Sequence, residues 1–208
     1  MSVGQFAVRP LEGGARLVTA PMRDRESASL VLMFGVGSRY EDDRRGGASH
    51  FIEHLFFKGT QRRPSAKEIA EAIEGVGGVL NASTDKELTS YWTRVPADHL
   101  ELGIDVLFDI VTESKLTPGD IDNERKVILE ELKMYQDLPQ DYVHSLFEEV
   151  MWPKHPLGRG ADARRPGRLH RKSLPPAGPG GEPVGRHRRR PRWGDGRGTN
   201  ATLGRAER

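Results

Sequence analysis

Alternating and short apolar runs mark the predicted strands. The segment 15–20 (ARLVTA) alternates apolar and polar residues, and 29–36 (SLVLMFGV) is a short, mainly apolar run. Both patterns are typical of strands in an antiparallel sheet. Two further segments, 79–84 and 88–95, flank Asp85-Lys86-Glu87 and predict a β-hairpin.

Helical spacing and capping residues predict five helices. They cover 47–57, 66–74, 97–113, 118–136 and 139–151. Ser65-Ala-Lys-Glu68 is a capping box at the start of the second helix, and Thr117-Pro118 is a typical start of the fourth. The third helix has large apolar residues at core spacing: Leu100, Ile104, Leu107, Phe108 and Val111. Hairpin strands followed by helices predict an α+β fold, in which helices pack on one face of an antiparallel sheet.

The composition changes abruptly at residues 158–160. From 159 to 208, thirteen Arg and one Lys against four acidic residues give a charge of +10, whereas residues 1–158 carry −8. This tail has ten Gly, six Pro and no Ile, Phe, Tyr or Met. Such a segment buries too little apolar surface to offset chain entropy. We therefore expect a folded domain over 1–158 and a disordered basic tail over 159–208.

The origin of this tail has two interpretations. Gly, Arg, Pro and Ala all have GC-rich codons, which favours out-of-frame translation of a GC-rich gene from about codon 159. The alternative is an arm that binds nucleic acid electrostatically. Such an arm predicts salt-sensitive binding that is lost when the chain is truncated at Gly158. Nucleic acid is the less favoured partner. The nucleotide sequence around codon 159 decides between the two.

The absence of cysteine limits the chemistry open to the chain. With no Cys, disulfides, thiolate metal sites and cysteine nucleophiles are excluded, so a metal must bind to His, Asp or Glu. No apolar run reaches about 18 residues, so no membrane span is predicted. The first eleven residues lack a basic region followed by an apolar core, so no secretory signal is predicted and we expect a prokaryotic, cytoplasmic protein.

The most informative motif is His50-Phe-Ile-Glu53-His54, on the first predicted helix. Histidines four residues apart lie on one face of a helix about a turn apart, so both imidazoles can reach one metal ion. Glu53 lies at the edge of the same face and can approach a water at the metal. The order H-x-x-E-H is that of the inverted zincins.

A third ligand must come from elsewhere, because zinc hydrolases usually offer three protein ligands. The helix predicted over 118–136 carries Glu124, Glu130 and Glu131. Glu124 and Glu131 are seven residues apart on one face, so either can be the ligand while the other supports it. Glu130 lies about 100° away from Glu131 on the helix.

These residues belong to a longer series of motifs. In chain order they are Gly35-Val-Gly-Ser-Arg-Tyr-Glu41, His50-Phe-Ile-Glu-His54, Phe57-Lys-Gly-Thr60, Leu80-Asn-Ala-Ser-Thr84 with Glu87, Thr89 and Tyr91, Glu124-Arg-Lys-Val-Ile-Leu-Glu-Glu131, and His155-Pro-Leu-Gly158. The series resembles the M16 peptidases, the group of pitrilysin, insulin-degrading enzyme and mitochondrial processing peptidase. The resemblance covers about residues 16–158.

The resemblance implies a role for each site residue. His50, His54 and Glu131 would bind Zn²⁺, Glu53 would be the general base and Glu124 would support the ligands. The strand residues Asn81, Ala82, Ser83 and Thr84 would pair with an extended peptide or unfolded polypeptide substrate, as expected of an exposed sheet edge.

The resemblance also implies what the chain contains. Family members resemble a clamshell of two related LuxS/MPP-like halves, and this chain would hold most of one, incomplete at its C-terminus. A partner half or a second copy is therefore expected, and activity of the chain alone is doubtful. The alternative function is a non-catalytic scaffold or partner subunit. Such members typically lose part of the zinc motif, which is complete here.

Overall fold

A computed structural model describes residues 6–22, 24–42 and 45–158 of the chain. The strands are β1 (Ala7–Pro10), β2 (Arg16–Thr19), β3 (Ser27–Phe34), β4 (Val79–Thr84) and β5 (Thr89–Pro96). The helices are α1 (Ala48–Phe56), α2 (Ala66–Glu74), α3 (Leu100–Thr112), α4 (Pro118–Asp137) and α5 (Pro139–Met151). Short 3₁₀ turns occupy Glu12–Gly14, Ser38–Tyr40 and Ala97–His99. The predicted basic tail, 159–208, lies outside the described residues.

The main sheet has three antiparallel strands in the order β3-β5-β4. β5 lies in the middle and pairs Tyr91 with Leu32 on one side and with Ala82 on the other. β4 forms one edge of this sheet. β1 and β2 pair with each other in a separate two-stranded ribbon.

The core forms where helices cover one face of the sheet. Tyr91 and Val95 of β5 are buried against α2 and α3, through residues that include Ile73, Leu107 and Ile110. The α+β prediction, with helices packed on one face of an antiparallel sheet, is confirmed. Within the described residues, no helix is both long and apolar enough to cross a membrane.

A second, smaller core joins the two helices that carry the predicted site. Phe51 and Leu55 of α1 are buried against Ile128 and Leu132 of α4. Both pairs are spaced four residues apart, so each lies along one helical face. This packing places α1 and α4 side by side.

The predicted core face of α3 is wrong in part. Leu100, Ile104 and Phe108 are exposed, and the buried face runs through Gly103, Val106, Leu107 and Ile110. The reason is Gly103, where an added Cβ would lie 3.1 Å from Cγ2 of Thr93. The helix approaches β5 closely at this glycine, which turns the larger apolar residues outward.

Candidate metal centre

The start of α1 is held by a carboxylate from outside the helix. Gly47 stands at the N-cap with a φ of 83° and has no side chain to cap the first turn. The Glu41 carboxylate accepts hydrogen bonds from the backbone N–H groups of Gly47 (2.6 Å) and Ser49 (2.7 Å). A negative charge at a helix N-terminus also interacts favourably with the helix dipole. These contacts fix the turn that carries His50.

The start of α4 is capped by its own sequence. Thr117 Oγ1 accepts a hydrogen bond from the N–H of Asp120 (3.2 Å), and Pro118 occupies the first turn. Because Ile128 and Leu132 pack on α1, the glutamates on the adjoining face of α4 lie near the histidines of α1.

Three side chains from these helices converge. The Nε2 atoms of His50 and His54 lie 3.2 Å apart. Oε2 of Glu131 lies 3.9 Å from Nε2 of His50 and 3.6 Å from Nε2 of His54. Among the described residues, these three form the one group of His, Asp or Glu side chains with donor atoms close enough to share a metal ion.

The separations fit a single zinc ion. Ligand atoms about 2.0–2.1 Å from a tetrahedral zinc lie about 3.4 Å from one another. The observed separations, 3.2, 3.6 and 3.9 Å, bracket this value. Two imidazole nitrogens and one carboxylate oxygen are also the ligand types of catalytic zinc sites.

Glu124 contacts the opposite nitrogen of His54. Its Oε2 lies 3.2 Å from Nδ1 of His54, and its Oε1 lies 2.5 Å from Nζ of Lys58. The Glu124 side chain is 5% exposed. When Nδ1–H donates to this carboxylate, the lone pair of His54 Nε2 is left facing His50 and Glu131.

Glu130 lies apart from the site. Its side chain is 72% exposed and pairs with Lys133 on the helix surface at 2.6 Å. The structure thus separates the three glutamates that the sequence left as alternatives: Glu131 faces both Nε2 atoms, Glu124 faces His54 Nδ1, and Glu130 faces outward.

Glu53 directly precedes His54 on α1, and one of its carboxylate oxygens makes no hydrogen bond within the described residues. Its Oε2 is buried and has no hydrogen-bond partner among the described residues. Burial, together with the nearby Glu53 charge, raises the pKa of Tyr91 above its ordinary range. An unpaired buried carboxylate oxygen is unfavourable on its own, so a polar partner such as a water is expected here.

The predicted substrate strand borders the site. β4 is an edge of the described sheet and contacts α1. The N–H of Ala82 donates to Oδ1 of Asn81 at 2.8 Å. Ser83 and Thr84 are held through their hydroxyls by Ser90 and Thr89 of β5, at 2.9 and 3.4 Å.

Sequence reasoning missed two residues of this site. Glu41 and Lys58 both stand in motifs that carry the family resemblance, but the motifs alone predict no role for either. A glycine at the predicted start of α1 is the signal for Glu41, since a helix without its own N-cap residue needs an external acceptor. No local pattern links Lys58 to Glu124, because the two are 66 positions apart.

The comparisons with known proteins identify the family of the chain. The model of the family "Insulinase (Peptidase family M16)" matches residues 16–162. An uncharacterized zinc protease of Streptomyces coelicolor is 45% identical over 157 residues, which cover 76% of this chain and 34% of that protein. Another from Bacillus subtilis is 40% identical over 147 residues, with coverages of 71% and 36%. The chain thus spans about a third of the length of these curated relatives.

Solved structures share the fold. A protease from Helicobacter pylori matches with a TM-score of 0.71 at 24% identity, over 76% of this chain and 38% of that one. A peptidase M16 inactive domain from Pseudomonas fluorescens matches with a TM-score of 0.68 at 16% identity, with the same coverages. The family match covers most of the chain and includes every residue of the site, and so the chain belongs to the insulinase family of peptidases, family M16.

Proposed function

We propose that this site is the metal centre of a zinc-dependent endopeptidase. His50, His54 and Glu131 hold the zinc, and Glu53 is the general base. The observation that carries the proposal is the convergence of two Nε2 atoms and a carboxylate oxygen within 3.9 Å. The helix of the two histidines also carries Glu53, whose buried Oε2 has no hydrogen-bond partner among the described residues. Relatives at 45% and 40% identity are named zinc proteases, which supports the same assignment.

The residues divide the chemical work. A bound zinc supplies a Lewis acid and lowers the pKa of a water towards neutrality. Glu53 Oε2 accepts the proton of the attacking water and afterwards donates it to the leaving amine. Glu124 keeps the proton of His54 on Nδ1, so that Nε2 stays a ligand.

The substrate is proposed to lie along β4. An extended peptide can add to an exposed sheet edge through main-chain hydrogen bonds, with little regard for its side chains. The Ala82 N–H points to the Asn81 side chain and not into the β5 ladder. It is therefore available to a peptide once that side chain turns away.

Glu53→Gln tests the base. The amide keeps the shape of the side chain but cannot accept the proton, so we expect hydrolysis of an unfolded protein substrate to fall by about 10²–10⁴-fold. Zinc content, measured by atomic absorption, should match the wild-type chain. Wild-type turnover in this variant would contradict the assignment of Glu53.

Ala82→Pro tests the substrate strand. Proline removes an N–H that β5 does not use, and prolines are tolerated at such edge positions. Binding of a fluorescent extended peptide to the Glu53→Gln chain should weaken when this second change is added, with zinc content unchanged. Ala82→Val, which keeps the N–H, is the control. Equal weakening by the two changes would argue for a steric effect and against main-chain pairing.

A non-catalytic scaffold is the alternative function. Zinc stoichiometry separates the two functions, since the peptidase assignment predicts one zinc per chain and the scaffold predicts none.

The clamshell architecture implies that a partner half or a second copy completes the enzyme. We therefore propose that full activity needs such a partner.

A further inference from the structure

The motif Phe57-Lys-Gly-Thr60 follows α1 directly and contains none of the proposed ligands. We propose that its lysine, Lys58, is a positioning residue of the metal centre, which holds Glu124 against His54 and so maintains zinc affinity. This inference rests on the proposed function, because it concerns the same site.

A continuous chain of contacts links Lys58 to the ligands. Lys58 Nζ lies 2.5 Å from Oε1 of Glu124, whose Oε2 lies 3.2 Å from Nδ1 of His54. Nε2 of the same histidine faces Glu131 at 3.6 Å. Within the described residues, the ion pair of Lys58 goes to Glu124 and its backbone hydrogen bond goes to Leu55, not to a proposed ligand. We therefore expect its effect on the site to pass through Glu124.

The burial of Glu124 explains why a cation is needed. A carboxylate that is 5% exposed is costly to bury unless both oxygens are paired. Among the described residues, Lys58 is the one lysine or arginine within ion-pair distance of Glu124. Without it, Oε1 would lose its cation, and the carboxylate could rotate or recruit water in place of His54.

The rest of the motif fixes the position of the Lys58 backbone. Its N–H donates to the carbonyl of Leu55 at 3.1 Å, which continues the last turn of α1. Gly59 has a φ of 149°, and an added Cβ there would lie 2.5 Å from the carbonyl oxygen of Pro64, so only glycine fits. Thr60 is fully buried and donates to Oδ2 of Asp109 on α3 at 2.8 Å.

Each of the last three residues of the motif thus has a structural role. Gly59 allows the tight turn and Thr60 ties the turn to α3. Lys58 is left directed back across the end of α1 towards α4. The motif thus connects the helix of the histidines with the buried glutamate of α4.

The experiment measures zinc affinity of the full 208-residue chain by competition with a chromophoric chelator. We expect Lys58→Met to weaken zinc binding by about 10- to 100-fold, the range for loss of a group that supports a metal ligand. Lys58→Arg, which keeps the charge, should restore most of the affinity. Lys67→Met is the matched control, because within the described residues the ion pair of Lys67 is with Glu71 on the surface of α2, and its side chain is 79% exposed.

A double-mutant cycle separates positioning from general destabilisation. If Lys58 acts through Glu124, Lys58→Met should add little to the loss already caused by Glu124→Gln. Thermal unfolding of the metal-free chains shows whether each variant is folded. Lys58→Gln, which is polar and of similar length, serves if Lys58→Met does not fold.

The outcomes are distinguishable. A wild-type chain that binds no zinc would overturn the proposed function itself. A wild-type chain that binds zinc, with Lys58→Met or Lys58→Gln binding equally well, would overturn only the role of Lys58. The role of Lys58 would also be overturned if Lys58→Met lowered zinc affinity as much in the Glu124→Gln background as in the wild type, because Lys58 would then act by another route.

Discussion

His54 shows how one side chain serves two networks at this site. Its Nε2 faces His50 and Glu131, and its Nδ1 faces Glu124. The spacing of the motif was enough to predict that both histidines share a helical face. It did not decide between Glu124 and Glu131, because both lie on one face of α4 and their distance from each nitrogen depends on how that helix packs against α1.

Adjacent glutamates on α4 provide a matched pair of variants. We expect Glu131→Gln to lose most of its zinc, since an amide oxygen is a weaker ligand than a carboxylate. Glu130→Gln should bind zinc as the wild type does, because its side chain is exposed and paired with Lys133. Equilibrium dialysis followed by metal analysis measures both. Equal zinc content in the two variants would argue that Glu131 is not a ligand.

At the scale of elements, the sequence predicted the helices more successfully than their packing. The starts of α2 and α4 follow from the capping residues Ser65 and Thr117, which cap them in the structure. The ribbon strand β1 was not predicted. The buried face of α3 could not be read from large apolar residues, because the close approach of Gly103 to β5 sets the rotation of the helix.

An ion-pair network fixes the loop after α1 to α3. Arg62 and Arg63 contact Asp105 at 2.7 and 2.6 Å, and both also contact the buried carboxylate of Asp109. Burial alone would raise the pKa of Asp105, but hydrogen bonds and charge from the two arginines outweigh it and lower that pKa. The network therefore favours the ionised form of Asp105.

This network predicts a pH-dependent contribution to stability. A depressed pKa in the folded state means that Asp105 stabilises the fold above its unfolded pKa of about 3.9 and loses that contribution as pH falls through the folded value. Because the side chain is 40% exposed, we expect Asp105→Asn to cost no more than about 1 kcal/mol at pH 7.

Urea unfolding at pH 7 and near pH 3 measures this effect. The difference between wild type and Asp105→Asn should shrink at the lower pH. Asp122→Asn, in the exposed i,i+3 pair with Arg125, is the control and should change stability little at pH 7. A difference for Asp105→Asn that grows towards low pH would contradict the network's role.

At the scale of the whole molecule, the part of the chain that matches its curated relatives spans about a third of their length. Several large apolar side chains of the described residues are exposed, among them Met33 on β3 and Phe147 and Val150 on α5. Exposed apolar surface of this kind is typical of protein interfaces. A partner half or second copy fits that surface and stays a prediction, as do the disordered basic tail and the cytoplasmic location.

The most direct test of the account is X-ray absorption spectroscopy of the zinc-loaded chain. The account predicts nitrogen and oxygen ligands at about 2.0–2.2 Å, with outer scattering from two imidazoles. In His54→Ala, we expect both the two-imidazole signal and tight zinc binding to be lost. A wild-type spectrum with one imidazole or none, or a His54→Ala spectrum identical to that of the wild type, would contradict the metal centre on which the proposed function depends.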